Sequence, residues 1–113
     1  MPKFAANLSM MFTETEFPNR FGKAAHAGFT KVEFQFPFNY PKEQIAEQVE
    51  KYNLSVILHN LPAGDWDNGD RGIACHPHRI GEFQDGVGIP IEYASSFGCK
   101  KLNSLSGIMP NGI

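Results

Sequence analysis

Long apolar runs are missing from this chain. No stretch approaches the ~20 consecutive apolar residues that a membrane-spanning helix requires, and the start, Met1-Pro2-Lys3-Phe4-Ala5-Ala6-Asn7, carries no apolar core of a secretory signal. Cysteine is scarce as well. Cys75 and Cys99 are the two present, too few for a disulfide scaffold, and they fit a reducing, cytoplasmic setting. Charge of one sign is not concentrated anywhere: ten basic residues against twelve acidic ones leave a net charge of −2. Lys and Arg are scattered, so the electrostatic footprint of a nucleic-acid binder is absent. Low-complexity segments and internal repeats are also lacking.

What the chain does have is aromatic and apolar mass in its first half. Ten Phe occur among 113 residues, most of them before residue 40. At this length one domain spanning 1–113 can bury a core. Apolar spacing changes period along the chain, from strand-like to helix-like and back. Lys3–Leu8 reads as a strand, and a helix near Glu16–Ala27 follows, with Thr13 or Thr15 available as its cap. Phe17, Phe21, Ala24, Ala25 and Gly28 share that helix's buried face, and Gly28 is its natural stop. Phe29–Phe36 is a second strand, with Val32, Phe34 and Phe36 on one face and Glu33 and Gln35 on the other.

Pro41 suits the first position of the next helix, Lys42–Tyr52, whose apolar side is Ile45, Ala46, Val49 and Tyr52. Asn53 ends it. The stretch Ser55-Val56-Ile57-Leu58-His59-Asn60-Leu61-Pro62 is a buried strand that turns polar at its end and breaks at Pro62 and Gly64. The loop beyond it carries Asp65, Trp66, Asp67, Asp70, Arg71 and Cys75. It exceeds the usual 2–6 residues of such connections, which favours a functional role. A third helical region, Pro77–Phe97, is damaged by Gly86, Gly88 and Pro90, which predicts a kink or two pieces with Pro90 opening the second. Lys101–Leu105 is a fourth strand. The order β-α-β-α-β-α-β predicts an α/β fold with a parallel sheet.

Polar residues at strand ends are the candidate site, because parallel α/β proteins bind ligands there. Asn7, Asn60 and His59 end their strands, and Glu33 points away from Val32 and Phe34. Amides suit carbonyl and hydroxyl recognition. Arg71 is the candidate for a substrate carboxylate, which a guanidinium grips bidentately, with pairing to Asp70 or Asp67 as the alternative. Trp66 either shields the pocket or pins the loop. Cys75-His76-Pro77-His78 matches no familiar zinc spacing, and Gly86-Val87-Gly88 lacks the third glycine of a dinucleotide fingerprint.

Four segments together carry a family resemblance: Phe4–Phe12, Val32–Pro37, Asn60–Trp66 and Arg71–Cys75. They resemble the hydroxypyruvate isomerase family and its 2-oxo-tetronate isomerase relatives, within the xylose-isomerase-like TIM barrels. The resemblance implies an aldose–ketose type isomerisation of hydroxypyruvate or a related 2-oxo acid. It also implies a divalent metal, Mg²⁺ or Mn²⁺, in the full-length barrel, with a glutamate pair moving the proton. Those glutamates and metal ligands lie in the family's second half. The expectation is therefore half of a TIM barrel: no catalytic residue, metal or cofactor in this chain, and Asn7, Glu33, His59, Asn60 and Arg71 as substrate-binding residues. An isolated half would be inactive and would pair with a second copy into a homodimer. A non-catalytic dimerising module, or an isomerase completed by a separate chain, are the alternatives. Expected partners are a small 2-oxo acid, with neither nucleic acid nor membrane.

Overall fold

The computed structural model describes residues 3–111. Four parallel strands lie side by side in chain order: β1 (Ala6–Asn7), β2 (Lys31–Glu33), β3 (Ser55–Asn60) and β4 (Leu102–Asn103). Helices fill each crossover: α1 (Phe17–His26), α2 (Lys42–Lys51), then α3 (Ile80–Asp85) and α4 (Gly88–Ser96) before β4. This is the β-α-β-α-β-α-β order that the sequence predicts. β1, β2 and β4 are shorter than the spans the sequence predicts, although single backbone bonds such as Leu8 N–H to the Glu33 carbonyl and Phe34 N–H to the Leu58 carbonyl continue the pairing past their ends.

One device ends all three long helices. Gly28, Asn53 and Gly98 follow α1, α2 and α4 with positive φ values of 98°, 52° and 70°. Each left-handed residue turns the chain so that the next amide bonds back to the helix: Phe29 N–H to the Ala24 carbonyl, Leu54 N–H to that of Val49 and Cys99 N–H to that of Ala94. The chain then runs directly into a strand. Helix starts are less conventional. Neither Thr13 nor Thr15 caps α1: Glu16 occupies the cap position with no side-chain bond, and the Thr15 hydroxyl donates to the Phe12 carbonyl instead. Pro41 stands just before α2 rather than in its first turn. The third helical region breaks after Gly86, and Pro90 is the third residue of α4, where a missing N–H leaves no intrahelical bond unmade.

The helix-facing side of the sheet holds the core. Ala6, Val32, Phe34 and Val56 meet Phe21 and Ala24 of α1, Ile45 and Val49 of α2, and Ala94 and Phe97 at the end of α4. Phe36 does not join them; it packs on Trp66, because β2 has ended at Glu33. The long loop folds back on β4's outgoing chain. Gly72 bridges to Ser106, and the Cys75 N–H bonds to the Ser106 carbonyl at 2.8 Å. No helix among the described residues is long and apolar enough to cross a membrane.

A bulge in β3 decides which side chains reach the other face. Val32 pairs with Val56, yet its neighbour Glu33 pairs with Leu58, so Ile57 stands unmatched. Side chains alternate between faces along a strand. The extra residue reverses that alternation: Val56 faces the helices, while Leu58 and Asn60 face away from them.

Candidate functional site

Away from the helices, at the C-terminal ends of all four strands, lies an open cavity of about 360 Å³. Strand-end residues form its floor: Asn7 from β1, Glu33 from β2, Asn60 from β3 and Asn103 from β4. Register explains their meeting, since Asn7 pairs with Glu33 and Asn60 with Asn103 across neighbouring strands. Their side chains follow: Asn7 Nδ2 donates to Glu33 Oε1 at 3.3 Å, and Asn103 Nδ2 to Asn60 Oδ1 at 3.1 Å. Leu58 and Leu105 supply apolar wall, and Trp66 and Arg71 close one side.

Arg71 lies flat against Trp66, its guanidinium carbon 3.9 Å from the ring centre. One of its nitrogens donates to the Trp66 and Asp70 carbonyls at 2.9 and 2.7 Å. The stack and these bonds hold a flexible side chain in one place. Neither Asp70 nor Asp67 neutralises it. Asp70 instead accepts from Arg79 at 2.9 Å and from the Asp65 N–H at 2.8 Å, and Arg79 also grips Glu82. The hydrogen bond from Arg79 holds the Asp70 carboxyl below the usual carboxylate range. Among the described residues Arg71 has no carboxylate partner, so a cation remains available to an anionic ligand.

His59 does not lie with this group. It is fully buried on the helix side, stacked on Phe34 at 5.9 Å and edge-on to Phe38 and Phe97. Adjacent residues of one strand cannot share a face, and the bulge sends Asn60 to the cavity and His59 to the core. Its Nδ1 lies 3.2 Å from the Asn60 carbonyl, which assigns the proton to Nδ1. Nε2 is buried without a partner. Burial pushes the imidazole below its ordinary value, with the Asn60 carbonyl opposing in part. A pKa lowered by folding gives stability that is complete above the unfolded value, about 6.5, and is lost as pH falls from there toward the folded value. Wild-type protein should therefore melt at lower temperature at pH 5 than at pH 7.5. In His59→Leu that gap should narrow, and stability at pH 5 should rise by about 1 kcal/mol or more, the scale of a buried unmatched polar atom. Melting curves at the two pH values check both; an unchanged gap would place the imidazole outside the core.

Of the five residues that the sequence singles out, Asn7, Glu33, Asn60 and Arg71 line this cavity and His59 does not. The structure adds Asn103 and Gln35. Asn103 stands on β4 where Asn7 and Asn60 stand on their strands, and that equivalence was the available signal. Among the described residues no three His, Cys, Asp or Glu side chains gather to hold a metal. The cavity has one carboxylate, Glu33, so these residues do not compose the divalent-metal centre implied by the family resemblance.

Parallel strands in sequential order, helices on one face and a polar mouth at the strands' C-terminal ends define part of a (β/α) barrel. Comparison with known proteins agrees. A crystal structure from Brucella melitensis, described as an AP endonuclease of family 2, superimposes with a TM-score of 0.95 at 46% identity, over 98% of this chain and 43% of that one. Hydroxypyruvate isomerase of Escherichia coli is 52% identical over 112 residues, and a 2-oxo-tetronate isomerase of Haemophilus influenzae is 42% identical over the same length. Both alignments take in 99% of this chain and 43% of the relative. Over nearly its whole length the chain is thus similar to the N-terminal half of hydroxypyruvate isomerase and 2-oxo-tetronate isomerase. It spans less than half the length of the curated relatives it matches. No protein-family model matches it.

Proposed function

We propose that these residues form the substrate-reading side of an isomerase barrel acting on hydroxypyruvate or a closely related 2-oxo acid. One observation carries the reading: Glu33, Asn60 and an unneutralised Arg71 converge on one cavity at the C-terminal ends of four parallel strands. In this role Arg71 binds the carboxylate, Asn60 offers its amide to the oxo oxygen and Glu33 accepts from a hydroxyl. The relatives' names, hydroxypyruvate isomerase and 2-oxo-tetronate isomerase, support a small 2-oxo acid. A net charge of −2 with dispersed Lys and Arg speaks against nucleic acid as the ligand, and few cysteines favour a cytoplasmic setting.

Moving a proton between adjacent carbons takes an acid–base pair, and the cavity contains a single carboxylate. The proposal assigns the proton-transferring glutamates and the Mg²⁺ or Mn²⁺ ligands to the remaining strands of the barrel, so the 113-residue chain alone is inactive. Eight strands close such a barrel; the described residues supply four. Among the described residues β1 and β4 each pair on one side only, and open edges invite strand pairing. Pairing with a second copy is the oligomeric form we propose for the isolated chain.

The test is turnover. The purified chain with hydroxypyruvate and Mg²⁺ or Mn²⁺ should show no conversion above the uncatalysed rate. Co-expression with the C-terminal half of the Escherichia coli relative should restore it. Conversion by the chain alone would overturn the assignment.

A further inference from the structure

We infer that Asn7 is a positioning residue, and that Glu33, held by it, is the group with which this mouth reads a ligand hydroxyl. The inference rests on the proposed reading of the mouth as a 2-oxo acid site and deepens it. Sequence alone makes Asn7 a lining residue in contact with substrate. The hydrogen bonds say otherwise. Its Oδ1 accepts the backbone N–H of Ser9 at 3.0 Å, and only the oxygen of an amide can accept from a backbone N–H. The amide's orientation is thereby set, and its Nδ2 must face Glu33 Oε1, 3.3 Å away. Each end of Asn7 thus has a partner within the protein, which fixes its amide against Glu33.

The surrounding backbone is tied as firmly. Leu8 N–H bonds to the Glu33 carbonyl at 2.8 Å, and Ser9 Oγ accepts the Gln35 N–H at 2.8 Å. The turn after β1, through Leu8 and Ser9, therefore clamps the residues that follow Asn7 to the strand end that carries Glu33. On the carboxylate, Oε1 is taken by Asn7, whereas Oε2 has no hydrogen-bond donor among the described residues, and no basic group pairs with Glu33 there. A carboxylate is acceptor-only. A second oxygen left free on a fixed carboxylate at a cavity wall therefore selects a ligand that brings a donor. Arg71, across the same cavity, selects the anionic end. The ligand class is a small acid carrying a hydroxyl away from its carboxylate.

Hydroxypyruvate and pyruvate differ by that one hydroxyl, which makes them the probes. The test is their dissociation constants for the isotopically labelled chain, read from NMR shifts at pH 8. The wild-type chain should prefer hydroxypyruvate about tenfold, the low end of one charge-assisted hydrogen bond. Asn7→Asp separates the two jobs of Asn7. A carboxylate oxygen still accepts the Ser9 N–H, so the turn persists, but nothing donates to Glu33 and a like charge sits beside it. In this variant, and in Glu33→Gln, the preference should fall to within about twofold while pyruvate binds as before. A tenfold preference retained in Asn7→Asp, or equal losses for both compounds, would overturn the inference and leave the reading of the mouth standing. So would equal binding of the two compounds by wild-type protein. Binding of neither would sink the reading itself and the inference with it.

Discussion

Phe34→Ala is expected to destabilise the protein by about 3–5 kcal/mol, the range for deleting a buried aromatic side chain. The ring is 2% exposed and joins α1, β3 and the end of α4. It meets Phe17 and Phe21 of α1 edge-on at 5.2 and 5.8 Å, stacks on His59 of β3 at 5.9 Å and meets Phe97, just past α4, at 5.8 Å. Each such aromatic pair contributes about 0.5–1.5 kcal/mol beyond its buried area. No neighbour can collapse into the space, because those rings are themselves pinned by helices on one side and the sheet on the other. Small domains are stable by about 5–15 kcal/mol in total, so the variant should sit near the edge of folding at 37 °C. Urea unfolding should show a large drop in midpoint with an unchanged slope. A loss below about 1 kcal/mol would mean that Phe34 is not the junction described.

The second large effect is expected at Gly72→Ala. Here φ is 110°, outside what an L side chain readily adopts, and an added Cβ would run into the backbone carbonyl of Leu105. Gly107, at φ 108°, faces Gly72 from the opposing chain, and a Cβ there would meet the Gly72 carbonyl. Two glycines back to back let the loop after β3 cross the chain leaving β4 and form the Gly72–Ser106 bridge. Strain of this kind costs roughly 1–3 kcal/mol, and the steric conflict adds to it. The loss should be local. Amide exchange at Cys75, whose N–H bonds across the crossing, should speed by at least about tenfold, the factor equivalent to about 1.4 kcal/mol. Exchange at Val49 and Val56 should hold steady. Arg71, next to the crossing, should lose its place against Trp66. Uniform acceleration across the domain, or none, would contradict the role of the crossing.

Much of this architecture was legible in the residues. Phe21, Ala24, Ile45 and Val49 repeat at helical spacing, and all four are buried against the sheet. Gly28, Asn53 and Gly98 mark helix ends because each favours the left-handed turn that an end requires. The break between α3 and α4 follows from Gly86 and Gly88. The parallel order follows from the alternation of period. The mouth was legible only in part. Asn7 and Glu33 stand where regular strands place ligand groups, but alternation counted from Val56 without the bulge sends Asn60 to the helices and His59 to the mouth. One unmatched residue at Ile57 reverses the alternation, and nothing in Val56-Ile57-Leu58 announces it, since all three are apolar. The partner of Asp70 was equally hidden. Arg71 lies next to it in sequence, yet the loop's path brings Arg79 to Asp70 from nine residues on. Contacts of that kind depend on the three-dimensional course of a long loop, which local spacing does not encode.

The central claim is that Glu33, Asn60 and Arg71 face one ligand-reading mouth while His59 is sealed behind the sheet. Titrating the isotopically labelled chain with hydroxypyruvate and following side-chain resonances tests it most directly. The Asn60 amide, the Arg71 guanidinium and the Glu33 carboxylate should shift together along one binding curve, with the His59 ring unmoved. A curve carried by His59, with the mouth silent, would contradict it.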